Sequence, residues 1–177
     1  AVLIVLNGVF AMSEISLVTS RRARLQRLID DKVAGAERAR ELNADPNRAL
    51  STIQVGITSI GILSGIVGES ALARPMEAFL VMVGLSPETA KAIGLFVVVV
   101  LITYFSIVMG ELVPKRIGQI SPERIACRLA PPIHCLSIIA APFVKLLSAS
   151  THLLLKRLGI SETQGSSVTE EEIHAMI

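Results

Sequence analysis

Long apolar segments alternate with shorter polar ones along the 177 residues of the chain. An α-helix needs about 20 mostly apolar residues to cross a bilayer. The stretch Ala92–Gly110 meets that requirement and contains no charged residue. The pattern predicts an all-α integral membrane protein with three transmembrane helices, at about residues 1–20, 49–68 and 89–113.

The segment between the first and second predicted spans, residues 21–48, is polar and strongly basic. Its few apolar residues recur at helical spacing, which predicts one or two short amphipathic helices on the cytoplasmic membrane surface. The turn Asp45-Pro46-Asn47 closes the segment. Either Asp45 or Asn47 is predicted to cap the second span.

Two further regions are predicted to lie outside regular spans. Residues 69–91 contain charged residues and are predicted to form a loop, which ends where Ser86-Pro87 starts the third span. Residues 121–158 are apolar but interrupted by Pro131, Pro132 and Pro142. Several short interfacial helices are predicted there, and a regular fourth span is the alternative.

Small and polar residues recur along the second span at spacings of three and four. They are Gln54, Thr58, Gly61, Gly65 and Gly68. Small residues on one face allow membrane helices to approach closely, so this face is predicted to pack against another helix. Glycine is also common in membrane helices without such a role.

Composition supports the membrane class and removes several functions. The chain is 51% hydrophobic, and its mean hydropathy is +0.62. It has no glycine-rich phosphate loop, HExxH pattern or catalytic triad signature, so no enzyme is predicted. The two cysteines, Cys127 and Cys135, fit neither a disulfide framework nor a zinc site. The net charge of +2 gives no reason to expect a nucleic-acid partner.

The distribution of lysine and arginine predicts the orientation in the plasma membrane. Residues 21–48 and the region after the third span are rich in lysine and arginine, whereas Arg74 and Lys91 are the only basic residues in 69–91. Cytoplasmic segments carry the excess of positive charge, so the N-terminus is predicted outside and the C-terminus inside. The chain starts inside an apolar run and ends in an acidic helix start, so we expect a longer protein.

Candidate chemistry lies in the stretch Gly110-Glu111-Leu112-Val113-Pro114-Lys115. A carboxylate near membrane depth is costly, and it usually faces a cavity, a partner or an ion. Pro114 has no N–H, which frees the carbonyl of Gly110 from its helical partner. The alternative is that Glu111 marks the water boundary and pairs with Lys115 one turn later.

The first span contains a similar polar group, Met12-Ser13-Glu14. In the predicted topology Ser13, Glu14, Glu111 and Gln54 lie at one level of the bundle, and Asn7 lies two turns above Glu14 on the same face. Oxygen ligands without thiolate or imidazole favour Mg²⁺ or Ca²⁺. The alternative is that these groups only join helices by hydrogen bonds.

Three motifs in this order resemble the transmembrane module of the CorC/cyclin M family of magnesium transporters. They are Asn7–Glu14, Leu50–Thr58 and Gly110–Lys115. The resemblance implies a homodimer with three transmembrane helices per subunit and a belt of interfacial helices. It also implies Mg²⁺ export in exchange for Na⁺, with Mg²⁺ ligands at Ser13, Gly110, Glu111, Asn7 and Gln54.

The same resemblance implies that a cytosolic acidic helical bundle and a pair of cystathionine-β-synthase-type (CBS) domains follow in the full-length protein. Residues 159–177 are then the linker to these domains, and residues 1–158 form the transmembrane module. A second hypothesis is that the module is a dimeric membrane anchor for those domains and does not transport ions.

Overall fold

The computed structural model describes residues 1–158, which form helices and no strand. The described part of the chain divides into two compact units, with the boundary between residues 144 and 145. The linker predicted at 159–177 lies outside the described residues. The helices are α1 Val2–Thr19, α2 Arg22–Asp30, α3 Ala36–Ala44, α4 Pro46–Met82, α5 Pro87–Ile107, a π-helical turn at Val108–Leu112 (the π turn), α6 Val113–Ile120 and α7 Pro122–Arg157.

Within residues 1–158, four stretches are long and apolar enough to cross a membrane: Val2–Thr19, Pro46–Met82, Pro87–Ile120 and Pro122–Arg157. The predicted all-helical membrane architecture is therefore confirmed, whereas the predicted count of three spans is not.

Helix α4 is much longer than predicted, because the loop proposed at 69–91 is wrong. The helix continues to Met82, and only residues 83–86 separate it from α5. Residues 69–82 are rich in alanine, leucine, methionine and glutamate, all strong helix formers, so their charges do not end the helix. Gly84 makes the short turn with a φ of +103°, a conformation that suits glycine.

The helix starts predicted from sequence are confirmed. Asp45 Oδ1 accepts a hydrogen bond from the backbone N–H of Arg48 at 3.5 Å, and α4 begins at Pro46. Ser86 Oγ accepts a hydrogen bond from the N–H of Thr89 at 3.4 Å, and α5 begins at the next residue, Pro87. Both are proline-led helix starts, in which the missing N–H costs nothing.

Helix α7 corrects the prediction of several short helices at 121–158. It runs unbroken from Pro122 to Arg157, with Pro131, Pro132 and Pro142 inside it. Apolar helices in membrane proteins tolerate proline because local adjustment and neighbouring groups satisfy the carbonyls that it frees. Proline content was therefore a poor guide to where this helix ends.

The two predicted amphipathic helices are confirmed as α2 and α3. Their apolar sides join a buried core with the first part of α7, made of Leu25, Ala36, Ala39, Leu42, Ala126, Cys127, Ala130 and Ile133. Gly35 precedes α3 with a φ of +80°. A Cβ atom at this position would collide with the carbonyl oxygen of Cys127, so glycine allows α3 to lie against α7.

The predicted small-residue face of α4 contacts a neighbouring helix at Gly68 but not at Gly61 or Gly65. A Cβ atom built on Gly61 or on Gly65 meets no described atom within 4 Å. Gln54 and Thr58 are exposed on the same helix. A Cβ atom on Gly68 would collide with the side chain of Ile102 on α5, and one on Gly56 would lie 2.7 Å from Cε1 of Phe10 on α1. Periodicity therefore identified Gly68 but missed Gly56 among the glycines that contact a neighbouring helix.

Candidate cation site at the π turn

Helix α1 and the π turn are joined by a buried hydrogen bond. Asn7 Nδ2 donates to the carbonyl oxygen of Gly110 at 3.1 Å. The proline at 114 follows the π turn closely and cannot donate a backbone hydrogen bond. The Gly110 carbonyl, which was predicted to lose its helical partner, therefore accepts a hydrogen bond from Asn7 on α1.

Glycines allow α1 to lie directly against this irregular segment. A Cβ atom on Gly8 would lie 2.9 Å from Cγ of Pro114, and one on Gly110 would lie 3.2 Å from Nδ2 of Asn7. Farther along, a Cβ atom on Gly118 would lie 3.0 Å from the carbonyl oxygen of Met12. Three glycines thus keep α1 close to the π turn and to α6 over their whole contact.

Lys115 brings two carboxylates together. Its Nζ lies 2.8 Å from Oε1 of Glu111, one turn earlier, and 3.2 Å from Oε2 of Glu14 on α1. The three side chains are 27–39% exposed, so one side of the cluster is open at the protein surface. The Glu111–Lys115 pair considered from sequence is present, and it extends to Glu14. The two alternatives raised by the sequence, an ion pair between Glu111 and Lys115 and a cluster of carboxylates, are therefore both compatible with the structure.

One oxygen of this region lacks a partner. Within residues 1–158, Asn7 Oδ1 is buried and accepts no hydrogen bond, while the side chain of Asn7 as a whole is 9% exposed. Glu14 Oε2 is also buried without a hydrogen bond of good geometry, but its ion pair with Lys115 compensates it. Buried polar atoms are normally paired, so Asn7 Oδ1 is an available acceptor at a position where a ligand would be favourable.

The other predicted ligands occupy different environments. Ser13 is buried, and its Oγ donates to the carbonyl of Val9 at 2.7 Å, which leaves the lone pairs of the hydroxyl oxygen available. Gln54 is exposed on α4, and no described hydrogen bond joins it to the π turn. The structure thus places Asn7 beside Gly110, and Glu14 and Glu111 around Lys115.

The donor set of this region consists of oxygen atoms. Among residues 1–158, no group of three or more histidine, cysteine, aspartate or glutamate side chains is arranged to hold a metal ion. The chemistry available at the π turn is instead that of amide, hydroxyl, carbonyl and carboxylate oxygen. Such a set suits hard cations and ammonium groups rather than transition metals.

The family model described as the cyclin M transmembrane N-terminal domain matches residues 1–177. The chain belongs to this cyclin M family. Together with its four long apolar helices, this membership makes it a multi-pass membrane protein.

Curated relatives are similar over almost the whole of this cyclin M domain. A UPF0053 protein of Synechocystis, sll0260, is 44% identical over 99% of the chain, and YhdT of Bacillus subtilis is 33% identical over 99%. A polyamine export protein of Escherichia coli K12 is 29% identical over 99% of the chain. In each case the chain covers 39% of the relative, so it spans about two fifths of their length.

Two features of the cyclin M domain were missed from sequence. The π turn was not predicted, although Pro114 indicated that the helical hydrogen bonds of the preceding turn are disturbed. The reach of Lys115 to Glu14 was also missed, because only the pairing one turn away along the same helix was considered. An ion pair between a lysine and a carboxylate on another helix can be predicted only when the register of the two helices is known.

Proposed function

We propose that this cyclin M domain transports Mg²⁺ across the plasma membrane and exports it in exchange for Na⁺. The observation that carries the proposal is the buried Oδ1 of Asn7, which has no hydrogen-bond partner among the described residues and belongs to the side chain that contacts the Gly110 carbonyl. A buried acceptor without a donor costs free energy unless something binds it. Mg²⁺ binds oxygen ligands of this kind.

The proposed Mg²⁺ ligands are Asn7, Ser13, Gly110, Glu111 and Gln54. The Gly110 carbonyl has a second lone pair besides the one that accepts from Asn7, and the Ser13 hydroxyl oxygen is free to accept. Glu111 supplies the negative charge that compensates a partly dehydrated Mg²⁺. Gln54 is proposed from the resemblance of its motif, since it is exposed on α4.

The proposal extends to orientation and assembly. The excess of lysine and arginine in residues 21–48 supports a cytoplasmic position for this segment and an outside N-terminus. We propose a homodimer in the lipid bilayer, with the acidic helical bundle and the CBS domains on the cytosolic side of the full-length protein. The molar mass of the detergent-solubilised protein, measured by light scattering, tests the dimer.

A second candidate function is export of polyamines. It is favoured by the contacts of Lys115, whose primary ammonium group lies 2.8 and 3.2 Å from two carboxylates. A polyamine presents the same chemical group. The relative from E. coli K12 that is 29% identical is named for polyamine export.

Glu111→Gln tests the function directly. We expect it to weaken Mg²⁺ binding to the purified protein at least about tenfold in calorimetry, because a neutral amide cannot compensate the ion. In proteoliposomes, Mg²⁺ flux driven by an imposed Na⁺ gradient is expected to fall with it. The matched control is Glu88→Gln in the exposed first turn of α5, which leaves both measurements unchanged.

The same titrations separate the alternatives. Preference for spermidine over MgCl₂, lost in Glu111→Gln, supports polyamine export. A folded dimer that binds neither cation supports the anchor hypothesis. Mg²⁺ affinity of Glu111→Gln within about threefold of the unmodified protein removes Glu111 from the site.

A further inference from the structure

Lys115 is the cation that partly neutralises the carboxylate pair. Among residues 1–158, no other basic group lies within ion-pair distance of Glu14 or Glu111. The two carboxylates carry two negative charges and the ammonium carries one positive charge. The cluster of three charged groups therefore retains one net negative charge.

A cation that binds both carboxylates competes with Lys115 for the same oxygens. The ammonium lies between them, at 2.8 Å from Glu111 Oε1 and 3.2 Å from Glu14 Oε2, and it would repel an incoming positive charge. Lysine has a flexible four-carbon stem, and the side chain of Lys115 is 31% exposed. The ammonium can therefore swing away from the two carboxylates, toward the open side of the cluster.

We propose that the Lys115 ammonium is a resident counter-cation that the cargo must displace from Glu14 and Glu111. This inference rests on the proposed cation transport. One divalent ion in place of the ammonium neutralises the carboxylate pair fully, whereas one alkylammonium group reproduces the charge already present. The lysine thus gives the site a preference for a cargo of higher charge.

Displacement also changes how the helices are joined. Lys115 belongs to α6 and Glu14 to α1, so their ion pair is a link between these helices. The Asn7–Gly110 hydrogen bond joins α1 to the π turn independently of that link. Cargo binding therefore releases the α1–α6 connection at Glu14 and leaves the connection at Asn7 in place.

The first test compares MgCl₂ affinity by calorimetry for the unmodified protein, Lys115→Gln and Lys115→Arg. Two partly exposed ion pairs are together worth roughly one order of magnitude in an equilibrium constant, so Lys115→Gln is expected to bind Mg²⁺ about tenfold more tightly. Lys115→Arg keeps the competing charge and stays within about threefold of the unmodified protein. Arg116→Gln removes an adjacent exposed charge that makes no described ion pair, and it is the matched control.

The second test needs no variant at Lys115. The unmodified protein is treated with an amine-acylating reagent at rising MgCl₂, and labelling at Lys115 is measured by mass spectrometry against Lys91, which is exposed on α5. Labelling of Lys115 is expected to increase as Mg²⁺ saturates, while labelling of Lys91 is constant.

The outcomes distinguish this inference from the transport proposal. If Mg²⁺ binds and Glu111→Gln abolishes binding, but Lys115→Gln does not tighten it and labelling does not rise, displacement is refuted and transport stands. If neither the unmodified protein nor Lys115→Gln binds Mg²⁺ or spermidine, both proposals are refuted.

Discussion

Asn7→Ala removes two interactions with opposite effects on stability. It deletes the donor to the Gly110 carbonyl, which is buried, and it deletes the unpartnered Oδ1. Losing the donor costs about 1–3 kcal/mol, and removing the unpaired acceptor offsets part of that cost. In a chelator we therefore expect a net loss of about 1 kcal/mol in the free energy of unfolding, or about 2–4 °C in Tm for a chain of this size.

Magnesium is expected to widen this difference. A ligand at about 100 times its Kd stabilises the native state by about 2.7 kcal/mol, and the variant that lacks an ion ligand gains less. The assay is thermal unfolding of the detergent-solubilised protein in EDTA and at rising MgCl₂. Asn47→Ala, at an exposed position in the first turn of α4, is the control and is expected to change stability by less than about 0.5 kcal/mol.

Asn7→Asp tests the amide oxygen and the amide nitrogen of Asn7 separately. It keeps the oxygen Oδ1, but it replaces Nδ2 with a second oxygen, which lies against the Gly110 carbonyl oxygen. The variant is therefore expected to be less stable than Asn7→Ala in EDTA and to regain stability with Mg²⁺. A constant difference between the unmodified protein and Asn7→Ala at every Mg²⁺ concentration would refute Asn7 as a ligand. Equal stability in EDTA would refute a stabilising role for the hydrogen bond to Gly110.

Two further predictions concern the backbone and the topology. Gly35→Ala is expected to destabilise the protein by more than about 3 kcal/mol, because a left-handed residue costs about 1–2 kcal/mol and the new Cβ atom would also collide with the Cys127 carbonyl. Gly84 has a positive φ but open space around it, so Gly84→Ala should show only the cost of the left-handed conformation in the same thermal assay. In a cysteine-free background, Glu88→Cys is expected to react with an impermeant thiol reagent on intact cells and Glu37→Cys is not, since we propose that residues 21–48 are cytoplasmic. The reverse pattern would overturn the proposed orientation.

Local signals in the sequence predicted helix starts better than helix ends. Asp45-Pro46 and Ser86-Pro87 each combine a side-chain hydrogen-bond acceptor with a following residue that has no N–H. This combination predicts a helix start, and the structure confirms both starts. Helix ends were misjudged at residues 69–82 and 121–158. There, charge and proline were taken as interruptions, although neighbouring helix formers and an apolar environment override them.

The candidate site was predictable by composition but not by register. The oxygen-bearing residues were found because carboxylates and amides are rare in apolar spans. Which of them meet depends on how α1 faces the π turn, and that is fixed by Gly8, Gly110 and Gly118, whose role appears only when the neighbouring helix is present. The exposed position of Gln54 could not be deduced from its spacing to other polar residues.

The π turn makes the geometry of this region depend on the number of residues as well as on their identity. An α-helix turns by about 100° for each residue, and a π turn accommodates one residue more than a regular turn. If Val108–Leu112 formed a regular α-helix with the same number of residues, everything after it would be rotated by about 100°. Pro114, Lys115 and Gly118 would then leave the surface that faces α1, and the charged cluster would separate without the loss of any of its members.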